Sequence, residues 1–158
     1  LVEKSLNNAR EIECSVTGNS VTFPAESDVE GVTAYIPGEI VPNHDFYDFD
    51  AKYNDPDGAN LLIPAELSEN DLEKIRKTAV AAYKALDATG PARVDFFIDR
   101  DTKAVYLNEI NTLPGFTPIS MFSKMCDAAG LKFNDLLKLL LDEAVARYES
   151  KQQLLTSR

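Results

Sequence analysis

Ala92-Arg93-Val94-Asp95-Phe96-Phe97-Ile98 and Ala104-Val105-Tyr106-Leu107-Asn108-Glu109-Ile110-Asn111, separated by the polar run Asp99-Arg100-Asp101-Thr102-Lys103, decide how this chain folds. Both outer segments alternate with the period of two that a half-buried strand requires, and the run between them suits a hairpin loop of about five residues. Pairing Asp99 with Val105 sets Asp95 opposite Glu109 and Arg93 opposite Asn111, while Val94, Phe96 and Ile98 form the apolar side. A slip of one residue would send one strand's polar set to the other face. In the expected register the oxygens of Asp95, Glu109 and Asn111 converge, as a hard cation such as magnesium requires. Two carboxylates this close repel each other more steeply as water is excluded, so a cation or a guanidinium should complete the site. The same alternation also serves outward, solvated carboxylates on a two-sided hairpin.

Immediately beyond, Leu113-Pro114-Gly115 cannot continue a central strand, because proline lacks the ladder donor and glycine opens backbone conformations closed to other residues. The chain must turn beside the acidic pair, and a glycine there lets a backbone N–H approach a ligand oxygen. Further out, Arg10 to Val16 and Ser20 to Phe23 alternate around Thr17-Gly18-Asn19 as a first hairpin, and Val32 to Val41 adds another short strand. Ser68-Glu69-Asn70-Asp71 resembles a capping box with Asp for Glu. It opens a helix whose stripe is Leu72, Ile75, Ala79, Ala82 and Leu86, stopping near Gly90. A helix from Ser120 to Ala129 ends at Gly130. The last begins near Asn134 with Leu136, Leu137, Leu140, Val145 and Tyr148 as a core stripe, and Glu149 to Arg158 should fray. Phe46 to Gly58 has neither helical nor strand period and reads as a long loop, a class that often forms lids. The order is β-β-loop-α-β-β-α-α, an α+β class with a mostly antiparallel sheet packed with helices.

Composition sets limits. A length of 158 residues, 44% hydrophobic and 27% charged, suits one globular domain, and a net charge of −10 disfavours nucleic acid and anionic membrane as partners. Cys14 and Cys126 lack metal-ligand spacing, His44 is the one histidine, and no stretch is long and apolar enough to span a bilayer or follows a signal-peptide plan. A cytoplasmic protein with reduced thiols, lacking structural zinc and a nucleophilic triad, is expected.

Arg93-x-Asp95, Asn108-Glu109-x-Asn111-Thr112-Leu113-Pro114-Gly115-Phe116-Thr117 and Ser120-Met121 together closely resemble the C-terminal part of D-alanine–D-alanine ligases of the ATP-grasp superfamily. The likeness runs from Val2-Glu3-Lys4 to the helix ending near Tyr148. It implies that Asp95, Glu109 and Asn111 hold magnesium (or manganese) between the nucleotide phosphates and the transferred phosphoryl group. Arg93 would stabilise charge on the acyl phosphate and the tetrahedral intermediate, and Gly115 would offer its N–H to the oxyanion. Ser120, through its hydroxyl, and Met121, through its N–H, would receive the carboxylate of the second D-alanine; sequence alone serves Ser120 equally well as a plain helix cap. Glu3 and Leu6 would contact adenine and Glu11 the ribose hydroxyls, although without the resemblance Glu3 and Glu11 read as surface charges. Ser5 departs from the aromatic residue the family often places there. The resemblance makes the stretch of about 43–62 the loop that closes over the nucleotide, with Lys52 on the terminal phosphate. Tyr53 would favour D-alanine as second substrate, where an ordinary loop aromatic is the plain alternative.

The resemblance thus implies an ADP-forming ligase using ATP and D-alanine for peptidoglycan synthesis, and so for cell-wall biogenesis and cell shape. The resemblance further implies an N-terminal domain and a small lysine-bearing subdomain, expected to be missing ahead of Leu1, and the expected assembly admits a homodimer at full length. The 158-residue chain alone is therefore expected to be inactive. A ligase for D-serine or D-lactate, and a non-catalytic nucleotide-binding module of the same fold, are the alternatives.

Overall fold

The computed structural model describes residues 5–6, 8–18, 31–42 and 59–154. The elements follow as β1 (Ala9–Gly18), β2 (Val32–Ala34), β3 (Gly38–Pro42), β4 (Ala59–Leu62), α1 (Glu69–Ala85), β5 (Ala92–Asp99), β6 (Val105–Asn111), α2 (Met121–Ala128) and α3 (Phe133–Leu154). The strands form one antiparallel sheet in the order β4-β3-β1-β5-β6, with β2 beside β1 on the edge that also carries β3. This is the α+β architecture expected from the sequence.

Alternation along β1 divides the molecule. Ile12, Cys14 and Val16 join Val94, Phe96 and Ile98 of β5 under α1, which contributes Ile75, Ala79 and Tyr83 at intervals of one turn. The opposite face carries Glu11, Glu13, Ser15 and Thr17. Its far end is covered by α2 and α3, where Tyr35, Phe122, Cys126 and Leu136 form a second core. Two polar groups of β1 trapped there are hydrogen-bonded: Ser15 Oγ donates to the Phe122 carbonyl at 3.0 Å, and Thr17 and Tyr35 share a hydrogen bond of 2.8 Å. Among the described residues no helix covers the half of that face around Glu11 and Glu13.

Several boundaries differ from expectation. Thr17 and Gly18 do not turn; they pair with Thr33 and Val32 as the end of β1, and residues 20–23 lie outside the described residues. Gly18 has φ of 141° and an added Cβ would fall 1.9 Å from the Gly31 carbonyl oxygen, so a glycine is required there. The stretch expected as one strand over Val32 to Val41 is two, because Pro37 between β2 and β3 has no N–H to give the ladder. Residues 59–62, placed at the end of the covering loop, pair with β3 as β4. α1 begins as expected, with Ser68 Oγ accepting from the Asp71 N–H at 3.1 Å. It ends before Gly90: Asp87 takes the left-handed conformation at φ 49°, and the N–H groups of Asp87 and Ala88 return to the Lys84 and Tyr83 carbonyls. Leu86 is consequently exposed.

α3 continues to Leu154, past the point of expected fraying. It packs through Leu136 and Leu140, while Leu137, Val145 and Tyr148, expected in the core, face solvent. Leu137 lies about 100° around the helix from Leu136, too far to share one inner face. Leu136→Ala is therefore expected to cost about 2–5 kcal/mol in urea denaturation, and Leu141→Ala less than about 0.5 kcal/mol, since Leu136 is 0% and Leu141 67% exposed.

Burial pushes both free thiols, Cys14 and Cys126, up to about 12 from an ordinary value of about 9. The folded chain thus holds protons the unfolded chain gives up, so this stabilisation is complete below about pH 9 and lost as pH rises toward 12. The denaturation midpoint is expected to fall above pH 9, and the fall to be blunted in a Cys14→Ala, Cys126→Ala variant.

Candidate active site

The hairpin of β5 and β6 brings the acidic residues together by a route the sequence reading did not contain. Next to the loop the pairs are Ile98–Val105, Phe97–Tyr106 and Phe96–Leu107, one residue short of the expected register. The expected Asp99–Val105 pair does not form. Asp99 Oδ1 instead captures the N–H groups of Asp101 and Thr102 at 2.9 and 2.8 Å, and its own N–H closes on the Ala104 carbonyl at 3.0 Å, tightening the turn. Asn108 is then an extra residue, a bulge, after which Asp95–Glu109, Val94–Ile110 and Arg93–Asn111 pair as expected. Asn108 and Glu109 both oppose Asp95 and both line the cleft on the open face.

That cleft, of about 160 Å³, is also bordered by Glu11, Glu13, Arg93 and Asp95. Arg93 Nε donates to Asp95 Oδ1 and Nη2 to Asp95 Oδ2, each at 2.7 Å, and Glu13 Oε1 lies 3.2 Å from the same Nε. Burial works against the guanidinium charge, but the bond to Asp95 and the fields of Glu13, Asp95 and Glu109 outweigh it and hold Arg93 above its ordinary value. A guanidinium beside the paired carboxylates is one of the two completions expected from their repulsion.

The donors also suit a hard ion. Asp95 and Glu109 offer carboxylate oxygens directly across the strands, and Asn111, two residues along on the same face, has its amide oriented by the Leu113 N–H at 3.0 Å. Among the described residues no three His, Cys, Asp or Glu side chains make a metal cage. Two carboxylates and an amide fit magnesium, which keeps waters and takes substrate phosphates as further ligands.

Other expected site residues lie apart. Ser120 caps α2: its hydroxyl donates to the Thr117 carbonyl at 2.8 Å and accepts from the Ser123 N–H at 3.5 Å. Met121 opens α2, its Cε 2.7 Å from where a Cβ on Gly38 would sit, and Gly38 is the partner of Glu13 across β3 and β1. The helix start therefore packs beside the open face without lining the cleft. Gly115 is exposed and does not use the left-handed conformations open to glycine; a Cβ there would meet nothing closer than Ser120 Cβ at 4.0 Å. Leu6 is half-buried ahead of β1. Glu3, Lys52 and Tyr53 lie outside the described residues. The residue that sequence reasoning missed is Glu13, although its odd position on β1 places it on the face of Glu11. The opposite face holds a separate pair, Arg10 with Glu39 at 2.8 and 2.6 Å.

A family profile described as D-ala D-ala ligase C-terminus matches residues 1–142. Over 158 residues the chain is 54% identical to a D-alanine–D-alanine ligase of Treponema denticola, covering 100% of this chain and 40% of that protein. The D-alanine–D-alanine ligase structure from Coxiella burnetii shares 36% identity with a TM-score of 0.74, over 94% of this chain and 35% of that one. A D-alanine–D-alanine ligase from Bacillus anthracis complexed with ATP shares 28% identity with a TM-score of 0.66, over 96% and 43%.

Removing Arg93 leaves two largely buried carboxylates without their guanidinium. Arg93→Ala is expected to lower the unfolding free energy by about 3–5 kcal/mol, and addition of Glu13→Gln to return part of the loss, as read by chemical denaturation of the single and double variants.

Proposed function

The chain belongs to the D-alanine–D-alanine ligase C-terminal family, and on that premise we propose that it carries the nucleotide and metal side of an ATP-dependent ligase joining two D-alanines through an acyl phosphate. The observation that carries this reading is Asp95 directly opposite Glu109, with Asn111 on the same open face beside Arg93. A chain of net charge −10 repels nucleotide at long range, so local cationic groups must invert the field.

Asp95, Glu109 and Asn111 would hold magnesium or manganese, which supplies Lewis-acid stabilisation of phosphate charge when bound. Glu11, in the same cleft, is suited to accept two hydrogen bonds from the ribose diol, with Glu3 and Leu6 on adenine. Arg93, always charged and planar, faces the carboxylate oxygens as one D-alanine is phosphorylated and stabilises the negative charge that develops when the second amine attacks. Gly115 would direct its N–H at that oxyanion. Ser120 and Met121 would take the carboxylate of the second D-alanine, for which the Ser120 hydroxyl must leave the Thr117 carbonyl. Lys52 on the covering loop would reach the terminal phosphate, and Tyr53 would favour D-alanine. Excluding water there protects the acyl phosphate. The product serves peptidoglycan synthesis, and the buried unpaired thiols accord with the cytoplasm. Among the described residues no helix is long and apolar enough to cross a membrane.

Protein carrying this chain, given magnesium, ATP and D-alanine, is expected to release ADP and form the dipeptide in preference to D-serine or D-lactate products. Glu109→Gln should reduce kcat at least about a hundredfold. Binding of Mg-ATP without ADP formation in the presence of D-alanine would instead support a non-catalytic module.

A further inference from the structure

The open face carries a row that the proposed reaction does not use in full. Glu13 of β1 lies opposite Asp95 of β5, which lies opposite Glu109 of β6, so three carboxylates line up across three neighbouring strands. Directly opposed like charges destabilise a sheet, and Glu13 is only 5% exposed, so its presence there needs compensation. Arg93 provides it, with Nε shared between Glu13 Oε1 at 3.2 Å and Asp95 Oδ1 at 2.7 Å. The row and its guanidinium together carry two more negative charges than positive, matching a divalent ion.

We propose that Glu13 is a positioning residue that keeps Arg93 in place when Asp95 turns its oxygens to the divalent ion. The inference rests on the reading of Asp95 and Glu109 as metal donors. Its basis is the partner each carboxylate has. Among the described residues Glu13, Asp95 and Glu109 do not form a three-carboxylate metal group, and Glu13 is instead turned to Arg93, its Oε1 3.2 Å from Nε. In the present structure both Asp95 oxygens are taken by Arg93. An ion arriving at Asp95 must compete with that guanidinium and repels it. A second buried carboxylate at the same Nε lets the guanidinium remain without holding Asp95 so tightly. With Glu13 uncharged, Asp95 is the one carboxylate left in direct contact with Arg93 among the described residues, and the ion must break that pair to bind.

The test is Mn2+ binding, followed by electron paramagnetic resonance in the presence of ADP, with the protein carrying this chain in wild-type, Glu13→Gln, Glu13→Asp and Glu109→Gln forms. Glu13→Gln is expected to weaken Mn2+ about tenfold in protein that keeps its circular dichroism spectrum, and Glu13→Asp to recover part of the affinity. A Glu13→Gln protein that loses thermal stability yet binds Mn2+ as wild type, while Glu109→Gln does not bind, overturns the role of Glu13 and leaves the metal reading standing. Unchanged Mn2+ binding in Glu109→Gln, or none in wild type, overturns both. Should Glu13→Gln fail to fold, Glu13→Asp carries the test: it keeps the charge one methylene further from Arg93, and its affinity must fall below wild type for the proposal to survive.

Discussion

The eight antiparallel pairs between β1 and β5, from Ala9–Asp99 to Val16–Ala92, fix the parity on which everything else depends. Even positions on both strands lie under α1 and odd positions face the cleft. Hydrophobic burial of Ile12, Cys14, Val16, Val94, Phe96 and Ile98 drives that choice, at roughly 1.5–3 kcal/mol for each large side chain. The acidic groups take the other face because the apolar ones have claimed the first. A slip of one residue between the two strands would drive either Glu13 or Asp95 under α1, where an unpaired charge costs several kcal/mol. The same packing that stabilises the fold therefore holds the reactive oxygens in register.

The open face is graded. Toward the end covered by α2, the odd positions of β1 are the neutral Ser15 and Thr17, each hydrogen-bonded in a buried setting. Toward the cleft they become Glu13 and Glu11. Arg93 pairs in register with Ser15 but sends its guanidinium to Asp95 and Glu13, so it stands where the dry interior meets the wet acidic row. In that setting a charged hydrogen bond is stronger than at the surface, and an unmatched charge is more expensive.

The hairpin, its polar face and the guanidinium were legible because period-two alternation survives in the sequence. The bulge was legible in principle as well. Val105 and Ile110 pack against the core under α1 with Leu107 paired between them, so the core-facing spacing is two and then three, a break that one extra residue explains. Asp99 concealed it, since only the side-chain capture of two N–H groups tightens the loop by the compensating residue. Helix α1 was read from its stripe and cap, but its end was not, because Asp87 adopts a conformation more often given to glycine. The outer leucines of α3 misled for another reason: leucine favours helices whether or not it is buried, and only packing decides which of neighbouring leucines turns inward. Glu13 went unnoticed because a carboxylate beside Glu11 looks like one more surface charge until β5 supplies its counter-ion.

The extra residue at Asn108 has a second effect, at the rim of the sheet. Among the described residues β6 is a terminal strand, and its Tyr106 and Leu107 are 44% and 45% exposed. A flat strand with such side chains would be a template for another polypeptide to extend by backbone hydrogen bonding, the first step toward aggregation. The irregularity interrupts the row of outward donors and acceptors within a seven-residue strand, leaving no long regular segment for a stray strand to join. The device that brings two side chains to face Asp95 thus also helps keep the protein from sticking to itself.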